Sequence, residues 1–328
     1  MAHPMRLAAV GLVSLAAAGC GLEAGTIGAT GEFDRTLSTS GPVDLTVTSG
    51  SGRIRVQTGS GNHVRVVASI HAYGNFWTGL TADAQVRRLE AHPPIEQSGN
   101  TIRVGDIDDV RLRQNVSISY ELTVPADTRL RSRTGSGGQS IDGIKGPLDA
   151  RAGSGGIQAH RIAERVAVST GSGGIEVSEA GRGLEASAGS GAIRGEAISG
   201  SIHARTGSGG VSLAQVEPGE IEASAGSGRI AITGARGPVH VRSGSGGISV
   251  EGDPVRDWTL STGSGSISLR IPAEARFDLD ARTGSGSIRT GHPLEVSGSV
   301  SSRRIQGKVR GGGALVETST GSGSTRID

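Results

Sequence analysis

The chain has 328 residues, of which 56 are glycine, 34% are hydrophobic and only 2% are aromatic. That composition argues against a large compact enzyme built on a thick aromatic core, and glycine lacks the every-third-residue rule of collagen. Disorder is equally disfavoured, because valine, isoleucine and leucine recur regularly and 33 basic against 31 acidic residues leave a net charge of +2. So even a balance calls for no nucleic-acid partner.

In chain order, Met1–Arg6 is a short positive start, Leu7–Ala18 is a small apolar run, and Ala17, Ala18 and Gly19 precede Cys20, the only cysteine. One cysteine rules out an intrachain disulfide framework and a cysteine zinc site. The apolar run is shorter than the roughly 20 residues of a stable membrane span. The segment resembles a bacterial lipoprotein signal, with Ala17 where leucine is commonest. That resemblance implies removal of residues 1–19, lipidation of Cys20 and attachment to a membrane through the N-terminal lipid. Gly21 after the cysteine is similar to outer-membrane lipoproteins of Gram-negative bacteria. The plainer reading is an ordinary cleaved signal with a chance cysteine. Residues 20–32, which include GLEAGTIGATGE, read as a flexible tether.

Residues 33–130 carry strand-like runs at Val43–Val47, Ile54–Val56, Val64–Ile70, Ile102–Val104 and Val116–Val124, with a short helix predicted over Thr81–His92. This part reads as a β-rich opening that caps the first coil of the repeats downstream. Within it, Tyr73, Phe76 and Trp77 are three of the chain's seven aromatics. They either pack the cap over the first coil or, if exposed, form a surface for sugars, a membrane or a partner.

From residue 131 to 290 a repeat dominates. Gly-Ser-Gly begins at Gly135, Gly153, Gly171, Gly189, Gly207, Gly226, Gly244, Gly263 and Gly284, and again at Gly321; further copies begin at Gly50 and Gly59. A period near 18 residues marks a solenoid. Five places before the triplet stand Leu130, Leu148, Val166, Leu184, Ile202, Ile221, Val239, Trp258 and Leu279, and three places before it mostly alanine or valine. Four places after it stand Ile157, Ile175, Ile193, Val211, Ile230, Ile248, Ile267 and Ile288. Both flanks alternate with period two, as strands do and flexible linkers do not. Each repeat therefore predicts two short strands around a tight corner, where glycine's freedom at positive φ has an obvious use. The predicted fold is all-β, a parallel β-helix (β-solenoid) of about 18-residue coils; the 37-residue step to Gly321 makes 291–328 an irregular C-terminal coil and cap. Trp258 belongs to the core.

Units such as Thr170–Val177 (TGSGGIEV) and Thr262–Leu269 (TGSGSISL), behind an export leader and a β-rich opening, are similar to the bacterial putative-adhesin β-strand-repeat family, whose function is unknown. The resemblance spans residues 33–328. Many relatives carry Asp or Asn after the second glycine of the triplet, where this chain has Gly156, Gly174, Ala192, Gly210, Arg229, Gly247, Ser266 and Ser287. It implies a non-catalytic envelope protein displaying a solenoid surface, an adhesin, in the cell envelope. The alternative is a periplasmic accessory in envelope-stress sensing.

Residues that carry chemistry are sparse. The turns lack the aspartate of calcium-binding repeats, the histidines lack metal-ligand spacing, and no nucleophile elbow, phosphate loop or dinucleotide fingerprint is present. No cofactor and no metal is expected. A polysaccharide-processing β-helix enzyme remains a minor alternative; Asp149, Glu185, Glu222 and Asp280 share an outward phase for it but are scattered along the rod. Two places before the triplet, Arg133, Arg151, Arg205, Arg242 and Arg282 form an outward ladder. Guanidinium forks suit carboxylate or phosphate polymers, so an acidic envelope polymer, a glycan or an envelope protein is the expected partner. The competing reading is a solvated face.

Overall fold

A computed structural model describes residues 28–73, 81–296 and 301–328. Cys20, Phe76 and Trp77 lie outside the described residues. Among the described residues there are 29 strands and two short helices, and the strands form one sheet of 14 and one of 15. Each repeat gives one strand to each sheet. We call the sheet that enters the Gly-Ser-Gly corner the leading sheet and the one that leaves it the trailing sheet. The chain is a β-solenoid, as its repeat predicts.

Strands of neighbouring coils pair in parallel and in register, like residue over like. In the leading sheet Leu148 stands between Leu130 and Val166, and in the trailing sheet Ile175 stands between Ile157 and Ile193. The two inward faces meet in one continuous core in which Leu148, Val166, Ile157, Ile175 and their equivalents are buried. Trp258 is fully buried there and donates its indole N–H to the carbonyl of Gly237 at 3.1 Å, which satisfies its one polar atom.

The corner glycines are required for a reason other than the expected one. None of the triplet glycines from Gly135 to Gly265 has a positive φ. They are fixed by contact between coils. A Cβ on Gly153 would lie 2.4 Å from the carbonyl oxygen of Gly135, and one on Gly155 would lie 1.8 Å from that of Gly137. Stacked strands sit about 4.8 Å apart, and at this corner the backbone of one coil occupies the space a side chain would need. The residue just before the triplet closes the corner. Thr170 donates its hydroxyl to the Gly155 carbonyl of the preceding coil (2.9 Å) and accepts from the N–H of Gly173 in its own (3.2 Å). Thr134, Thr206, Ser243 and Thr262 repeat this clamp. Ala152, Ala188 and Ala225 fill the same place without it.

Positive φ belongs instead to the second corner, eight residues after the start of the triplet. Gly143 and Gly234 occupy it, and so do Arg161, Glu179 and Ala197, with φ of 53°, 58° and 54°.

The order of the stack departs from the order of the chain at both ends. The coil made by Val43–Ser49 and Ile54–Thr58 lies between the later coil of Thr128–Thr134 and Gln139–Asp142 and a layer made by Thr101–Val104 and Val116–Val124. At the other end, Ala314–Thr320 and Thr325–Ile327 slide between the coil of Trp258–Thr262 and Ile267–Arg270 and that of Phe277–Thr283 and Ile288–Thr290. The Gly321 triplet, last in sequence, is therefore last but one in space. Matching the two sheets strand for strand gives twelve layers, a rod roughly 55 Å long at about 4.8 Å per layer.

Antiparallel strands close both ends. Gly28–Ser38 pairs with His63–Tyr73, which pairs with Val116–Val124. Residues 28–32, expected to be tether, are thus the start of a strand; a hydrogen bond from the Glu32 N–H to Glu90 holds it to the helix. That helix, Ala82–Ala91, sits where the sequence predicts it, with the Thr81 hydroxyl capping the Ala84 N–H, and buries Val86 and Leu89. At the far end Arg304–Val309 runs antiparallel against Phe277–Thr283, and Leu294–Val296 antiparallel against Arg304–Val309.

Candidate functional site: an arginine-rimmed groove on the trailing sheet

Both sheets turn an outward face to solvent, and the two faces differ in how their charges are used. On the leading face the predicted ladder stands in one line, but much of it is compensated. Arg151 pairs with Asp149 at 3.1 Å, Arg205 with Glu222 at 2.8 Å, and Arg282 with Asp280. Glu222 also receives His203 at 3.2 Å, and the His203 and Arg205 hydrogen bonds hold its carboxyl below the usual carboxylate range. Glu185 pairs with Arg165. Each of the four acids singled out in the sequence is therefore partnered by an arginine. Asp149 and Glu185 share a smaller cleft of about 490 Å³ with Arg129, Arg131, Arg151 and Arg165, while Glu222 and Asp280 stand apart along the rod. Among the described residues, Arg133 and Arg242 are the ladder arginines without a carboxylate partner.

The trailing face carries a shallow groove of about 850 Å³ running across seven layers. Its floor is the residue that comes after each triplet: Gly138, Gly156, Gly174, Ala192 and Gly210. The same column is closed by Arg53 at one end and Arg229 at the other. Beside the floor, two residues further along each strand, run Arg55, Ser140, Gln158, Glu176, Arg194 and Ser212. At about 4.8 Å per layer, Arg53 and Arg229 stand roughly 29 Å apart.

The groove exists because its floor residues have no side chain, although here they have room for one. A Cβ on Gly156 or Gly174 would meet its nearest atom at 3.4 or 3.7 Å, ordinary contact distance. So the fourth position of the turn is free to vary, which is why Ala192, Arg229 and Ser266 are accommodated in it. Arg53, Arg55, Arg194 and Arg229 are exposed, and among the described residues none makes an ion pair. Arg55 stands across from Glu121 and Arg194 from Glu176 in neighbouring strands, yet neither pair closes to 4 Å. The Glu176 carboxylate instead accepts from Gln158 at 3.4 Å. Four arginines thus face one glutamate around a cleft that can lay a long, thin anion against its floor.

Of the aromatic cluster, Tyr73 is described and is 54% exposed, at the end of its strand. Among the described residues no group of three or more His, Cys, Asp or Glu side chains is placed to hold a metal ion.

The class the fold defines is a β-solenoid, a rod of in-register parallel coils, with most ladder arginines paired to acids on one face and the groove arginines unpaired on the other. The Toastrack DUF4097 family model matches residues 161–328, and the chain belongs to that family. Three solved structures are similar to it. One is a putative cell adhesion protein from Clostridium sporogenes, 11% identical, TM-score 0.24, with 91% of this chain and 99% of that one covered. Another is a putative adhesin from Bacteroides fragilis, 11% identical, TM-score 0.33, covering 91% and 97%. A third is a putative adhesin from Parabacteroides distasonis, 10% identical, TM-score 0.32, covering 91% and 97%. No curated protein matches the chain.

Proposed function

We propose that the protein is a non-catalytic envelope lipoprotein, anchored through Cys20, that works by presenting its solenoid to a partner as an adhesin. The observation that carries this reading is the contrast between the two faces. The acids that an enzyme of acidic polysaccharides would need are each neutralised by a neighbouring arginine, whereas the groove on the opposite sheet keeps four arginines for something outside the chain. Displaying a surface needs no reacting centre, only a rigid rod and an anchor. The lipobox-like segment before Cys20 and the names carried by the similar structures support an envelope setting.

The test is accessibility on intact cells, by antibody labelling and protease shaving of the full chain and of Cys20→Ala, with lysed cells as control. Surface display predicts labelling without lysis for the full chain and its loss from the membrane fraction for Cys20→Ala. Labelling only after lysis would sink the adhesin reading and support a periplasmic accessory in envelope-stress sensing.

A further inference from the structure

We infer that the trailing-face groove binds a linear, carboxylate-bearing polysaccharide, laid lengthwise along the rod with its acid groups at the two arginine pairs. The inference deepens the surface-display reading and rests on it for its biological setting, but the binding chemistry stands on the groove alone.

Charge carries the argument. Arg53 and Arg55 mark one end of the groove, Arg194 and Arg229 the other, and Glu176 is the single acid between them. Guanidinium groups form paired, charge-assisted hydrogen bonds to carboxylates, and these arginines have no internal carboxylate to satisfy them. The two pairs are separated by layers that offer only neutral or accepting groups, Ser140, Gln158 and Glu176 among them. A ligand that fits must therefore be a chain long enough to reach both ends, anionic at intervals, and rich in hydroxyls in between. That describes an acidic polysaccharide.

Other polyanions fit less well. Single-stranded nucleic acid is held by aromatic platforms as well as cations, and no aromatic residue lines the groove. An extended acidic peptide docks most readily by adding a strand to a sheet edge. Here the floor is mid-sheet, and its strands from Gln139–Asp142 to Val211–Glu217 are paired on both sides.

The experiment measures binding of the full-length protein to polygalacturonate fragments, with dextran as the uncharged polymer and a single-stranded oligonucleotide as the phosphate polymer. Two variants attack the groove by different means. Arg53→Ser, Arg55→Ser, Arg194→Ser and Arg229→Ser together remove its charge. Gly156→Leu with Gly174→Leu leaves every charge in place and fills the floor, where a Cβ has room. The control is the five-arginine change on the leading face, Arg133, Arg151, Arg205, Arg242 and Arg282 to Ser, which removes more charge from the wrong side. Thermal melts confirm folding, and since the two groove variants alter different atoms, misfolding of one leaves the other to decide.

The expected result is binding to polygalacturonate but not to dextran, a loss of roughly tenfold or more in each groove variant, and a loss of less than about twofold in the leading-face control. An equal loss in the control would show diffuse attraction by net charge and overturn the site. Unchanged binding by the groove variants would do the same, as would tighter binding of the oligonucleotide through the same arginines. Failure of the unaltered protein to bind polygalacturonate would reject this ligand class while leaving surface display to stand or fall on the cell-labelling result.

Discussion

The two corners of a single coil solve the same problem in opposite ways. At the first, Gly-Ser-Gly is repeated almost without change because the neighbouring coil's carbonyls fill the space a Cβ would take. Backbone conformation there is ordinary. At the second, most coils turn left-handed, a conformation that costs an L-residue about 1–2 kcal/mol, and Arg161, Glu179 and Ala197 adopt it as Gly143 and Gly234 do, while Gln215 at the same place does not. A clash of about 2 Å leaves sequence no choice, whereas a modest strain can be absorbed by the pairing on either side. Glycine therefore recurs in every repeat at the first corner, whereas at the second it is replaced in three coils and kept at Gly234, where a Cβ would lie 2.2 Å from the Gln215 carbonyl oxygen.

Four substitutions sharpen or break that contrast. The largest effect belongs to Gly155→Ala, whose methyl would sit 1.8 Å from the Gly137 oxygen. Two coils must move apart, and the midpoint of denaturant unfolding should fall by the equivalent of about 3 kcal/mol or more. Gly156→Ala, one residue on and with 3.4 Å of room, should stay within about 0.5 kcal/mol of the parent. If the two melted alike, crowding between coils would not be the reason for the triplet. Next comes Thr170→Ala, which removes the clamp between the Gly155 carbonyl and the Gly173 N–H. A loss of about 1 kcal/mol is expected, tempered by the fact that three coils already manage with alanine. The only gain is Glu179→Gly at the second corner. Relief of the left-handed strain should raise stability by about 0.5–1 kcal/mol in the same unfolding assay. A loss there would mean that the side chain supplies more than the strain removes.

The sequence made the interior of the coil plain. Leu148, Ile157, Ile175 and their equivalents keep a period-two phase through every repeat, and a phase that regular has one physical reading. A short helix was expected over Thr81–His92, and Ala82–Ala91 is where it forms. The stack order was not plain, because layers are set by strand pairing and pairing can ignore chain order. No local signal tells Ala314–Thr320 to enter between two coils that precede it. The groove was hidden for the same reason. Arg55 and Ser140 are neighbours in space across 85 positions in the chain, and only the layer order brings Arg53 into line with Gly138 and Arg229. Its visible traces were Arg53 and Arg229, large charged residues in a column otherwise small. On the leading face the arginines two places before the triplet are easily counted along the chain. The acids at Asp149 and Glu222 had to be seen beside them before their charge could be discounted.

The two interleaved ends give the rod an unusual kinetics of failure. An open stack of coils peels from its outermost layer inward, each layer held by one neighbour. Here the first and the last Gly-Ser-Gly coils are each held by two, and the last is tied to one neighbour by the Asp328 N–H and carbonyl, bonded to Leu269 and Ile271, and to the other by the Ile327 carbonyl, which accepts from the Gly291 N–H. Neither can leave without parting layers on either side of it at once. Unravelling then has no cheap first step, and persistence becomes a matter of a high unfolding barrier more than of depth of the native well.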